Sequence, residues 1–170
     1  MYTTAGDLAY ATSSSAIARL AVGTPAQVLR VNSAGNAPEW GGLINDIDMV
    51  DFQPAGQSFS SATWEDITGA TMTLTLTSAC TIIVMAVVTG YNASVGRSFY
   101  VRANVNGTAD SADSTSQPFN GGQARNEGLP YVYRATGVPS GSRIVKLQCQ
   151  RNNDPNVVER GRLLAVALVE

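Results

Sequence analysis

Residues Cys80 to Val88 read Cys-Thr-Ile-Ile-Val-Met-Ala-Val-Val, an apolar run of nine with Gly90 just beyond it. It is far shorter than the ~20 residues of a membrane span. Its β-branched content and the terminating glycine favour a strand over a buried helix. A strand this apolar at consecutive positions predicts burial on both faces, so it is read as the central strand of the domain.

The flanking stretches agree with a β reading. Phe59 to Trp64 and Met72 to Leu76 alternate apolar and polar residues, as do Phe99 to Val105 and Arg143 to Arg151. Alternation of period two marks strands with one buried face. Tyr131 to Thr136 and Arg162 to Val169 add two more strands, and Asn106-Gly107, Gly137 to Gly141 and Asn152 to Asn156 supply turn chemistry. Short strands at near-regular spacing predict an all-β sandwich of jelly-roll type over residues 58–170. Within it, Thr108 to Gly128 is the longest polar, glycine-rich loop. Tyr91 and Phe119 are the aromatic residues placed in loops, where they would serve a ligand.

Residues 42–57 read as a connector. Apolar positions 43, 44, 47 and 50 suit a short amphipathic helical turn. Asp46, Asp48 and Asp51 crowd beside it without the glycine and closing glutamate of a calcium loop, so they predict a solvated acidic neck. Residues 1–41 differ again. Met1 to Ser15 is small and polar, an extended arm unless something docks on it. Leu20 to Val22 and Val28 to Val31 are short apolar runs cut by Gly23, Pro25, Asn32 to Gly35 and Pro38, which predicts a small extended β-meander. Below about 40 residues a segment seldom buries enough surface to fold without disulfides, metals or partner chains. This one has no cysteine and no metal cluster, which leaves partner chains. Leu20, Val22, Val28, Leu29, Val31 and Trp40 are the side chains that attachment or oligomer contacts would use.

The same segment carries a resemblance. Gly6-Asp7-Leu8-Ala9-Tyr10, Arg19-Leu20-Ala21-Val22-Gly23, Gln27-Val28-Leu29-Arg30-Val31 and Pro38-Glu39-Trp40 resemble, in order, a segment that recurs in bacteriophage fibre and appendage proteins. Pro25-Ala26 departs from that pattern, where a glycine usually precedes the glutamine. The last two strands, Ile144 to Gln150 and Arg160 to Val166, are similar to those of trimeric jelly rolls of the tumour-necrosis-factor and complement-C1q type. Together these resemblances imply a homotrimeric virion protein, a short fibre or decoration protein. It would contact other virion proteins of the capsid, portal, neck or tail. The alternative they leave open is an adhesin whose distal loops contact a host surface glycan or protein.

Composition bears on what remains. There is no histidine, which removes Ser-His-Asp and Cys-His catalysis and histidine metal sites. Two separated cysteines, Cys80 and Cys149, cannot build a structural zinc site and read as buried free thiols. Glu65, Asp66, Asp110, Asp113 and Glu127 share only a loop setting, so paired-carboxylate hydrolysis has no grouped candidates. The expectation is a non-enzymatic chain without cofactor. Net charge of −2 gives no footprint for nucleic acid or an anionic membrane. Only 14% of residues are charged, and all basic residues but Lys146 are arginine, both of which lean towards surface buried between chains. No basic and apolar leader opens the chain, so assembly in the host cytoplasm before incorporation into the virion is expected.

Overall fold

The computed structural model describes residues 4–25, 27–32, 34–92, 98–106, 108–109, 117–118, 127–150 and 156–169. Among them there is no helix. Fourteen strands follow in chain order: β1 (Leu8–Ala11), β2 (Ile17–Leu20), β3 (Val28–Val31), β4 (Pro38–Gly41), β5 (Ile44–Phe52), β6 (Gln57–Phe59), β7 (Glu65–Leu76), β8 (Cys80–Asn92), β9 (Ser98–Val105), β10 (Thr108–Ala109), β11 (Gln117–Pro118), β12 (Glu127–Val138), β13 (Gly141–Gln150) and β14 (Asn156–Val169). The chain divides into two units, Met1–Leu43 and Ile44–Glu170.

The larger unit is the all-β sandwich expected from the alternation. Its two sheets run β12-β8-β14-β5 and β10-β9-β13-β7, with β6 on β14 and β11 on β9. Pairing is nested and antiparallel: β5 with β14, β7 with β13, β8 with β12, β9 with β10. The outermost strands of the sequence pair with each other, then the next two, down to one hairpin. Folding such a ribbon over itself, so that successive pairs lie in opposite sheets, is the jelly-roll winding.

Period-two geometry fills the space between the sheets. Ile67, Ala70, Met72 and Leu74 from β7 meet Ile82, Val84 and Val88 from β8 and Leu163, Ala165 and Ala167 from β14. Each fully buried Leu, Ile or Val contributes about 1.5–3 kcal/mol before ordering costs. Cys80 and Cys149 lie in this core, both buried and neither in a disulfide. Tyr131 from β12 reaches across the core, where its hydroxyl accepts a 2.8 Å hydrogen bond from the Ala103 amide of β9. A Cβ at Gly161 would collide with the Phe52 ring and the Val87 carbonyl, so glycine there lets Phe52 close one end of the core.

Residues 42–57 are not a helical connector. Ile44–Phe52 is strand β5, an edge of the sandwich, and β6 begins at Gln57. The spacing 44, 47, 50 mimics a helix because the strand carries apolar residues on both faces: Val50 and Phe52 pack inward, Ile47 and Met49 point out. Of the acidic cluster, Asp48 and Asp51 are exposed as expected, whereas Asp46 is tied to the other sheet. Asp46 Oδ2 accepts from the Thr75 amide of β7 at 2.6 Å, and Asn45 Oδ1 accepts from the Thr77 amide at 3.0 Å. Gln57 Oε1 accepts from the Thr68 amide at 2.7 Å. These side chains occupy backbone donors along the β7 edge, the groups that otherwise template pairing with a foreign strand. Of the strand expected over Phe59 to Trp64, only Phe59 belongs to one, at the end of β6.

The smaller unit is two hairpins, β1 with β2 and β3 with β4. Residues 21–25 and Gln27 form no strand, and Pro25 has no amide hydrogen to give to a ladder. Leu8–Ala11 is therefore not a loose arm; β2 is what docks on it.

The Tyr131 contact yields a test. Tyr131→Phe keeps the ring but strands the Ala103 amide in the core, which costs about 1–3 kcal/mol. A urea midpoint unchanged from wild type would show that the bond adds nothing.

Candidate functional site

The phage-like motif residues converge in the smaller unit. Gly6 takes a left-handed backbone, φ 91°, which turns the chain into Asp7. The Asp7 carboxylate is fully enclosed: it accepts from the Thr4 amide at 3.0 Å and the Val22 amide at 3.2 Å, and pairs with Arg19 at 3.6 Å. Trp40 donates from Nε1 to the Ala21 carbonyl at 2.7 Å, and its ring lies where a side chain on residue 23 would otherwise sit. Gln27 Oε1 accepts from the Thr24 amide at 2.8 Å, and Arg30 pairs across the strands with Glu39. Asp7 and Trp40 thus tie the segment after β2 to both hairpins.

Polar contacts hold this unit, and its apolar side chains are left outside. Among the described residues, none of the buried apolar core belongs to it. Of the expected contact residues, Leu20 and Trp40 are half-buried, whereas Val22, Val28, Leu29 and Val31 are exposed, Val31 at 65%. Ile17, at 75%, belongs with them. Its place, five residues ahead of Val22 and just after a polar run, gave no periodic signal.

The sandwich presents two outer faces of opposite character. On the sheet β10-β9-β13-β7, the outward positions of β7, β13 and β9 include Thr71, Thr73 and Thr75, Lys146, Gln148 and Gln150, and Tyr100, Arg102 and Asn104, with Ile144 an exposed aliphatic among them. They form a network. Asp66 accepts from Lys146 at 2.6 Å and from Gln148 at 2.7 Å, Gln148 accepts from Arg102 at 2.9 Å, and the Arg102 guanidinium stacks 4.5 Å over Trp64. Burial alone would raise the Asp66 carboxyl, but the hydrogen bonds from Lys146 and Gln148, with the Lys146 charge, outweigh it and hold the group below its ordinary range.

The outer face of β12-β8-β14-β5 is apolar at its centre, with Arg134, Arg162 and Asp51 at its borders. The register sets its side chains in rows across four strands. Val132, Met85, Leu164 and Met49 are opposite one another in turn. The next row is Arg134, Ile83, Val166, Ile47, and the one on the other side Pro130, Val87, Arg162, Asp51. Val132 is 70% exposed, Ile47 55%, Met49 52%. Sequence reasoning placed the second face of β8 in the interior; among the described residues of the sandwich it is left half-exposed, Met85 at 38% and Val87 at 47%. The outward apolar residues of β5 and β12 were missed, because Asp46, Asp48 and Arg134 interrupt them.

A cleft of about 560 Å³ ends this face, lined by Asp51, Phe52, Gln53, Val87, Thr89, Arg160, Gly161 and Arg162. Arg162 and Asp51 pair there through two bonds, Nη2 to Oδ2 at 2.9 Å and Nε to Oδ1. The hydrogen bond from Arg162, with its charge, lowers the Asp51 carboxyl against the opposing effect of burial. The cleft holds no nucleophile beside a base. Among the described residues no three His, Cys, Asp or Glu side chains gather as a metal site would require.

Tyr91, expected in a ligand loop, is instead in β8 opposite Val157, on the outward parity of that strand. Phe119 lies outside the described residues.

No protein-family model matches the chain, and no curated protein matches it. Among solved structures, it is similar to the PRD1 vertex protein P5, with a TM-score of 0.50 and 12% identity over 76% of this chain and 100% of that one. The VP2 subviral particle of infectious bursal disease virus gives a TM-score of 0.44 and 10% identity; the match covers 94% of this chain and 41% of that one. At such identities the likeness to the vertex protein is one of fold.

The Asp66 network predicts an acid dependence. Its folded carboxyl lies below the unfolded value of about 3.9, so its contribution is present above about pH 4 and is lost as pH falls through the folded value. Asp66→Asn should lower stability modestly at pH 7 and flatten the fall in urea midpoint on acidification below about pH 4. Parallel wild-type and variant curves would remove Asp66 from the account.

Proposed function

We propose that the chain is a structural virion protein, a short homotrimeric fibre or decoration protein. Its N-terminal unit attaches to other virion proteins of the capsid, neck or tail, and its sandwich projects. It is assembled in the host cytoplasm and performs no catalysis. The observation that carries this reading is the N-terminal unit itself. Asp7 and Trp40 fix its backbone through polar contacts, while Val22, Leu29 and Val31 stay exposed. A segment that invests its hydrogen bonds in holding a shape and leaves its apolar side chains bare is suited to docking. The resemblance of that segment to phage fibre proteins, and the fold shared with a protein described as a vertex protein, support the same reading.

The homotrimer should elute at about three times the 17.8 kDa chain mass by light scattering. The double variant Leu29→Asp, Val31→Asp tests the attachment. Both side chains are exposed, so folding should be nearly unaffected, within about 0.5 kcal/mol per site. The variant should remain a trimer yet fail to co-sediment with particles that lack the protein. Binding equal to wild type would place the attachment surface elsewhere. A monomeric variant would mean that the segment holds sister copies together instead.

A further inference from the structure

We infer that the cleft at the end of the apolar face is a binding site for a carboxylated sugar, with Arg160 taking the carboxylate and Gln53, Thr89 and Glu159 taking the hydroxyls. The inference goes beyond the virion reading above and stands or falls separately from the trimer.

Irregularities of the backbone build the site. Val158 pairs with Gly90 and Arg160 with Thr89, so Glu159 has no partner across the ladder and β14 bulges there. Val158 and Leu163 are both fully buried, five positions apart, which regular alternation does not allow. The bulge absorbs the odd residue and leaves two successive charged side chains, Glu159 and Arg160, on the cleft side. Bulges re-aim side chains in this way and are common beside functional sites. The facing wall is the turn into β6, where Ala55 and Gly56 are both left-handed, with φ 54° and 77°. That conformation is uncommon for alanine. Gln57 pins the turn, accepting from the Thr68 amide at 2.7 Å and donating to the Asp66 carbonyl at 3.0 Å.

Beside the cleft of about 560 Å³ lies a second hollow of about 670 Å³, and Gln53 and Arg160 line both. They are two lobes of one groove, each of small-molecule size. Charge selects the ligand. Arg19, Arg30, Arg102, Arg143 and Arg162 are each tied to a protein acceptor. Among the described residues Arg160 has no hydrogen bond or ion pair. Its guanidinium offers a carboxylate two parallel donors. Glu159 shares the outer lobe with it, and Asp51, held by Arg162, stands in the inner one. These carboxylates repel phosphates and polyanions but accept protons from hydroxyls. Gln53 and Thr89 both donate and accept. Val87, 47% exposed, gives an apolar patch for the C–H side of a ring. One anionic group, several hydroxyls and an apolar ring face describe an acidic sugar. An extended acidic peptide would want a free strand edge, and β14 is paired on both sides, with β8 and with β5 and β6.

The test uses the full-length protein in its native assembly. Its probes are oligosaccharides ending in uronic or sialic acids, uncharged oligosaccharides, an acidic peptide and inorganic phosphate. Wild type should bind a carboxylated sugar with a dissociation constant below about 1 mM. Methyl esterification of the sugar carboxyl should weaken binding at least about tenfold. Arg160→Ala should do the same, and because that side chain is exposed and partnerless the fold should persist. Gln53→Ala, at an equally exposed position, should weaken binding severalfold and decides the matter should Arg160→Ala fail to fold. Failure of wild type to bind any carboxylated sugar overturns the inference, as does binding that the ester and both variants leave unchanged. Phosphate or the acidic peptide competing as tightly as the sugar overturns the assignment of the ligand.

Discussion

An extended chain sends alternate side chains to opposite faces of its sheet, so a strand with one face in water must be polar at every second position. β7 obeys this, with Thr71, Thr73 and Thr75 between Met72, Leu74 and Leu76. β8 and β14 do not. Met85 and Val87 stand between Val84, Ala86 and Val88, and Leu164 and Val166 between Leu163, Ala165 and Ala167. The sandwich core uses one face of these strands, and among the described residues of the sandwich nothing covers the other. This asymmetry organises the sandwich: a hydrogen-bonded sheet that suits solvent, and an aliphatic sheet whose outer side the described residues of the sandwich leave half-buried.

The polar side chains fall into place around that asymmetry. Asn45, Asp46 and Gln57 occupy amides on the β7 edge, where a free ladder would recruit unrelated strands. In the smaller unit the enclosed Asp7 carboxylate and the Trp40 indole do what a core does elsewhere, fixing two hairpins by hydrogen bonds. Both units therefore carry apolar surface in fixed positions.

Much of the fold was legible because the period-two signal is local. The alternation from Met72 to Leu76 and the run from Cys80 to Val88 mark β7 and β8 directly. The limits were equally physical. Ile44, Ile47 and Val50 fit a helical spacing only because β5 is apolar on both faces, so the feature that makes it part of the bare face also disguised it. Burial on both sides was inferred for β8 from its apolar composition alone; within the sandwich only one of its faces is in the core. The nested pairing of β5 with β14 and β7 with β13 joins residues about as far apart as the sandwich allows, and no local pattern encodes it. In the N-terminal segment the motif residues were visible, while the roles of Asp7 as an enclosed acceptor and of Gly23 as the floor beneath Trp40 emerge only in three dimensions.

If the aliphatic face is completed by sister chains, assembly adds to the stability of the folded chain, and that stability depends on how many copies are present. The direct measurement is the thermal midpoint of the full-length protein across about a hundredfold range of concentration. The account predicts a midpoint that rises steadily with concentration. A midpoint independent of concentration, with the protein monomeric throughout, would contradict it.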